Sequence, residues 1–223
     1  MIERILEPEV MDEPAEAIAY DQMDHGGVNR AFVEDWVKAA GAGSYPGGTK
    51  ILDVGTGTAL IPIEMVRVVP KVHLVAVDMA QSMLDLAGEH LKRLGLAGQI
   101  ELKLCDAKRL PFEDSSFAGV VSNSIIHHIP EPLHSFWEMA RVCAPGGIIF
   151  VRDLCRPATV AEIDQLVELH AKGADVTQKK LFWDSLHAAL TLEEAAELAY
   201  LAGLDPQSVT MTSDRHWTLA ARK

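Results

Sequence analysis

Asp53 lies in the run Ile51-Leu52-Asp53-Val54-Gly55-Thr56-Gly57-Thr58-Ala59, at the end of a short apolar stretch and two residues before a Gly-x-Gly turn. Glycines there let backbone amides approach a ligand closely, because they lack Cβ and tolerate positive φ. Nucleotide-binding turns of this type usually offer those amides and the next helix N-terminus to a pyrophosphate. A carboxylate at Asp53 would repel such a group. It asks for a ligand with a positive charge, such as the ammonium of an amino acid. Further along, Val72-His73-Leu74-Val75-Ala76-Val77 ends in Asp78, some 20 residues past the glycine turn, where an acidic strand end pairs with ribose hydroxyls. Asp53 and Asp78 together describe a ligand that is part amino acid and part nucleoside.

The surrounding elements follow from the spacing of apolar residues. Thr58 to Val69 is predicted as the helix after the turn, starting directly after Gly57. Pro62 fits only its first turn, and Pro70 stops it. Gln81 to Leu94 carries Met83, Leu84, Ala87, Leu91 and Leu94 at helical spacing, with Lys92 and Arg93 in the last turn and Gly95 beyond it. Strands are predicted at Ile100–Leu104, Gly119–Ser122 and, after Pro145-Gly146-Gly147, at Ile148–Val151. Strands alternating with helices require a parallel sheet covered on both faces.

Downstream, Ala158 to Lys172 reads as an amphipathic helix. Thr191 and Glu194 form a capping box for a helix running to Tyr200, and Ser208–Thr212 and Trp217–Ala221 read as closing strands. Upstream, a helix is expected over Val28–Ala40, preceded by the polar and aromatic run Tyr20-Asp21-Gln22-Met23-Asp24-His25.

On these motifs the chain resembles the class I S-adenosylmethionine-dependent methyltransferases, nearest to the small-molecule branch that includes the ubiquinone/menaquinone-biosynthesis methyltransferases. The resemblance covers Lys50 to Asp153 closely and Thr191 to Lys223 more loosely. It implies a Rossmann-like, doubly wound α/β fold with a seven-stranded, mostly parallel sheet whose last strand is antiparallel. One domain is expected: a helical lid segment (1–48), a cofactor-binding core (49–153), a substrate-side helical insert (154–190) and a closing helix with strands (191–223). The implied cofactor is S-adenosyl-L-methionine, with S-adenosyl-L-homocysteine as product.

By the same resemblance Asp53, Gly55, Thr56 and Gly57 hold the methionine end. Asp78 takes the ribose, and Met79 flanks the adenine. Asp106 and Ala107 meet the adenine edge through a carboxylate and a backbone amide, with a helix N-cap as the rival role for Asp106. Asn123 lines the reaction centre unless it is an exposed turn residue. Tyr20 belongs to a lid over the methionine portion. His127 or His128, just outside a strand end, is the candidate general base. Adjacent residues on one element point apart, so only one is expected to face the pocket, and His128 is slightly favoured. The segment Lys180–His187 either lines a substrate pocket or packs as a lid helix. No metal is expected, since Asp24 and His25 lack partners at ligand spacing.

Composition narrows the acceptor. With 20 basic and 32 acidic residues the net charge is −12, and no basic cluster exceeds Lys179-Lys180. A nucleic-acid substrate is therefore disfavoured, because binding phosphates requires basic surface. A small-molecule acceptor is the primary expectation. A protein side chain as acceptor, or a non-catalytic S-adenosylmethionine-binding partner protein, is the alternative. A nicotinamide oxidoreductase conflicts with Asp53 and with Leu60 at the position of a third glycine. The charged first 16 residues and the lack of a membrane-length apolar run point to the cytoplasm. The cysteines Cys105, Cys143 and Cys155 have no metal or disulfide spacing, and Cys105 is read as a packing residue rather than a nucleophile.

Overall fold

The computed structural model describes residues 2–9, 12–23, 25–41 and 45–223. Strands β1 (Lys50–Val54), β2 (His73–Asp78), β3 (Ile100–Leu104), β4 (Phe117–Asn123), β5 (Cys143–Leu154), β6 (Val209–Met211) and β7 (His216–Arg222) form one sheet in the order β3-β2-β1-β4-β5-β7-β6. All neighbours pair in parallel except β7, which runs antiparallel to both β5 and β6. The strand order reverses between β1 and β4, and that switch opens a crevice at their carboxyl ends.

Successive residues on the central strands sort to opposite faces. Leu52, Val54, Val75, Val77, Val120, Ile149 and Val151 enter one core with Phe136 and Met139 of α5 (Leu133–Val142) and Ala195 and Ala199 of α8 (Leu192–Leu201). Ile51, Leu74, Ala76, Val121, Ile148 and Phe150 enter the other. That second core is closed by Phe32, Val33 and Trp36 of α2 (Gly26–Ala40), Ile63 and Val66 of α3 (Leu60–Val68), and Leu91 of α4 (Gln81–Leu94). Burial on both faces explains why these strands read as continuous apolar runs rather than alternating ones. A third, smaller cluster joins Leu154 to Ile163 and Val167 of α6 (Val160–His170) and Leu186 of α7 (Val176–Ala188). The chain begins with an extended strap, residues 2–9, followed by α1 (Pro14–Asp21).

Two boundaries differ from the sequence reading. The helix after the glycine turn starts at Leu60 rather than Thr58, because Gly57 and Ala59 both adopt positive φ (55° and 62°) and the chain must unwind from them before it can coil. Pro145-Gly146-Gly147 does not precede β5 but lies within it. A register shift against β4 between Phe117 and Gly119 accommodates it. A Cβ on Gly147 would lie 2.8 Å from the Ala118 and Ala144 carbonyl oxygens, so only glycine fits this close approach of backbones. The capping box forms as expected, with Thr191 accepting from the Glu194 N–H and Glu194 accepting from that of Thr191. Among the described residues no helix is long and apolar enough to cross a membrane. Asp24 and part of the expected 41–48 linker fall outside the described residues.

Candidate active site

The β1–α3 turn is tied to β2 by hydrogen bonds from the Gly55 and Thr56 N–H groups to the Val77 carbonyl, at 2.8 and 2.9 Å. Gly55 has φ 75°, and a Cβ there would lie 2.1 Å from Cγ2 of Ile125. The β4 loop thus presses directly on the turn. Gly57 donates its N–H to Oδ2 of Asp78 at 2.7 Å, and Ala80 donates to Oδ1 at 2.9 Å. These backbone donors fix the Asp78 carboxylate at the rim of the crevice, where burial raises its pKa.

Asp53 sits behind the turn, 2% exposed, with its Oδ2 atom free of any hydrogen-bond partner among the described residues. Burial, opposed by the nearby Thr56 hydroxyl and assisted by the negative charge of Asp78, pushes its pKa up to about 7. A buried carboxylate oxygen left unpaired is costly. It is also the group that a ligand ammonium would satisfy, so the turn fits the amino-acid end of S-adenosylmethionine.

The crevice is lined by Tyr20, Gly55, Gly57, Asp78, Met79, Asp106, Ala107, Asn123 and His128, all of them expected from the sequence. Asp53, Thr56 and His127 do not line it. Tyr20, carried by α1, stands over Gly57 and packs on the His25 ring at 4.5 Å. Burial and then the charges of Asp78, Asp21 and Asp53 raise its phenol to about 12, so it is a neutral donor. Met79 is exposed beside the cavity. Asp106 accepts the Lys108 N–H at 2.8 Å within a turn, so the N-cap role once open to it is not what the chain uses. Lys108 ion-pairs with Asp106 and with Glu9 of the N-terminal strap. Cys105 also lines the crevice, and burial followed by the Asp106 charge raises its thiol, which leaves it un-ionised.

Of the two histidines only His128 lines the crevice, the one slightly favoured. They lie on a 3-10 turn, Ile126–His128, and their rings do not point apart but lie against each other at 4.2 Å, tilted by 36°. His127 is buried and donates Nδ1–H to Oδ1 of Asp153 at 2.5 Å. Burial opposes the charge on His127, but Asp153 outweighs it and the net shift is upward. Asp153 also accepts the Ile126 and Leu154 N–H groups, both at 2.6 Å, and so shapes the turn. His128 lines the crevice, and burial together with His127 pushes its pKa down to about 3.

Both rings approach a residue that the sequence reading did not single out. Glu7, on the strap, has its Oε1 atom 3.2 Å from His128 Nδ1 and 3.5 Å from His127 Nε2, and it accepts from Ser185 Oγ of α7 at 3.1 Å. Arg4 anchors the strap by donating to the carbonyls of Ala188, Pro130, Ile129, His127 and Ile126. Of these, only Asp153 had a legible signal. It is a carboxylate closing a strand, the same mark that singled out Asp53 and Asp78. Within Lys180–His187, Phe182 and Trp183 pack into the α6–α7 cluster, and Ser185 donates to Glu7 of the strap.

Comparisons with known proteins identify the family and the fold. Residues 47–207 match a family described as a methyltransferase domain. Among curated relatives, the demethylmenaquinone methyltransferase of Bacillus cytotoxicus is 33% identical over 67% of this chain and 62% of its own length. The biotin biosynthesis bifunctional protein BioHC of Teredinibacter turnerae is 32% identical over 70% of this chain and 26% of its own. This chain therefore spans less than two thirds of those relatives. Among solved structures, a putative S-adenosyl-L-methionine-dependent methyltransferase from Methanococcus maripaludis has a TM-score of 0.69 at 13% identity, covering 98% of this chain and 97% of its own. A phosphoethanolamine N-methyltransferase of Haemonchus contortus in complex with S-adenosyl-L-methionine has a TM-score of 0.66 at 20% identity, covering 86% and 42%.

Proposed function

The chain belongs to the methyltransferase domain family, and on that premise we propose that it transfers a methyl group from S-adenosylmethionine to a small-molecule acceptor in the cytoplasm. The observation that carries the reading is the buried, unpartnered Asp53 oxygen beneath a turn whose next amide is clamped by Asp78. Asp53 would receive the ammonium of the cofactor, Asp78 the ribose hydroxyls, and Asp106 with the Ala107 amide the adenine edge, with Met79 flanking the ring. Tyr20 would close α1 over the methionine portion, and Thr56 supports the turn from behind.

The bound sulfonium supplies an activated methyl group. What remains for the protein is to hold the acceptor atom in line and keep water out, and positioning of that kind accounts for a large part of catalysis. His128, neutral over the working pH range, would offer a ring nitrogen to orient an acceptor proton. His127, engaged by Asp153, would hold the turn in place. The acceptor is proposed as a metabolite, its reacting atom carbon, nitrogen or oxygen. The net charge of −12 argues against nucleic acid, and the three free cysteines suit a reducing compartment.

The test is a methyl-transfer screen with labelled S-adenosylmethionine against fractionated metabolites. Label entering a small-molecule fraction, with release of S-adenosylhomocysteine, is the expected result. Label entering only protein, or tight cofactor binding with no transfer to any fraction, would overturn it.

A further inference from the structure

Glu7, His127 and His128 bring one carboxylate oxygen and two imidazole nitrogens within 4.8 Å of one another. The residues come from two segments about 120 positions apart, the N-terminal strap and the 3-10 turn after β4. Because Nδ1 of His127 gives its hydrogen to Asp153, the neutral ring presents a bare lone pair at Nε2, and that lone pair faces Oε1 of Glu7 at 3.5 Å. Nδ1 of His128 is buried and lies 3.2 Å from the same oxygen. With both facing nitrogens unprotonated, the three atoms converge as a ready donor set for a cation.

A divalent ion placed between them would take all three as ligands. We propose that Glu7, His127 and His128 form a binding site for a divalent transition ion of the zinc type. Zinc bonds of about 2.0–2.2 Å place neighbouring tetrahedral ligand atoms roughly 3.3–3.6 Å apart, close to the 3.2 and 3.5 Å separations from Glu7. Two histidines and one glutamate are a zinc donor set that leaves a fourth position for water or a substrate atom. The supporting groups are also in place. Asp153 fixes the tautomer and orientation of His127, as a carboxylate behind a metal-bound histidine does, and Ser185 holds the Glu7 carboxylate. Because His128 also lines the crevice, the ion would stand at its wall, and Glu7 would fasten the strap to that wall.

Chelator-treated full-length protein is titrated with Co²⁺ and then Zn²⁺. The expected result is saturable visible absorption at one Co²⁺ per chain, bleached by Zn²⁺, with a calorimetric Zn²⁺ Kd of about 1 µM or tighter. Glu7→Gln and His128→Gln should each weaken Zn²⁺ by at least about tenfold, and Asp153→Asn by roughly 10–100-fold through loss of the support behind His127. Glu7→Gln keeps an oxygen that can accept from Ser185, and an unchanged melting temperature in the metal-free state separates its loss of binding from a folding defect. S-adenosylhomocysteine binding, measured on the same samples, reports the fold and tests the cofactor assignment separately. Absence of stoichiometric binding in the unmodified protein, or Zn²⁺ affinity unchanged in Glu7→Gln, would overturn the site.

Discussion

Asp53 is the residue whose chemistry is most exposed to test. With a folded-state pKa of about 7, raised by burial above the usual carboxylate range, its contribution to stability is fully present below pH ~4. That contribution is lost progressively as pH rises toward 7, because the unfolded chain ionises first. A ligand ammonium reverses the preference by favouring the charged form. S-adenosylhomocysteine should therefore bind more tightly as pH rises from about 5.5 to about 8, releasing a proton from Asp53 in the lower half of that window. Calorimetry in buffers of different ionisation enthalpy measures both quantities, and Asp53→Asn should flatten them. Affinity independent of pH would remove Asp53 from the ammonium site. This residue was legible because a strand-end carboxylate beside a Gly-x-Gly turn is a local signal. Asp153 bears the same mark without glycines and escaped notice. Glu7 was not legible at all, since its role exists only once the strap folds against a turn 120 residues away.

Elements were legible wherever the apolar period was clean. α4 and β3 occupy the expected residues, and the capping box sets the start of α8 as Thr191 and Glu194 indicated. The β1–α3 junction was less so, because its boundary depends on backbone handedness rather than on hydrophobic spacing. Ala59 takes φ 62° where a third glycine would be at ease. An L-residue in that region costs about 1–2 kcal/mol, while glycine forfeits roughly 0.5–1 kcal/mol in unfolded-chain entropy. Ala59→Gly should therefore raise stability by about 0.5–1 kcal/mol, read from the denaturant midpoint at unchanged m-value. A lower midpoint would show that the buried methyl packs too well to lose. The junction between α1 and α2 makes a second test at this scale. If Tyr20 must swing away to admit a ligand, this segment belongs to the low-stability part of the fold. Limited proteolysis near Gly26-Gly27 should be fast in the free protein and slowed several-fold by S-adenosylhomocysteine. Equal cleavage in both states would mean that α1 does not act as a lid.

The whole molecule combines an acidic surface with a crevice walled by Asp78 and Asp106 and backed by the buried Asp53. Asp53, Asp78 and Asp106 surround the β1, β2 and β3 strand ends, with Lys108 already paired to Asp106 and Glu9. The sheet order that creates the crevice is shared by dinucleotide- and S-adenosylmethionine-binding folds alike, so topology alone does not choose the ligand. Charge does. A pyrophosphate would have to displace Asp78 from the Gly57 amide and approach Asp53, whereas on the proposed assignment an amino-acid ammonium would pair with the Asp53 oxygen. S-adenosylmethionine and S-adenosylhomocysteine should therefore raise thermal stability and NAD should not. A ligand confined to the native state contributes about 2.7 kcal/mol at a hundredfold excess over Kd. For a chain of this size that corresponds to a Tm increase of roughly 5–10 °C. A shift with NAD and none with either S-adenosyl compound would contradict both the charge argument and the cofactor it selects. Equal shifts from S-adenosylhomocysteine in the native chain and in Asp53→Asn would leave the cofactor standing and move its ammonium elsewhere.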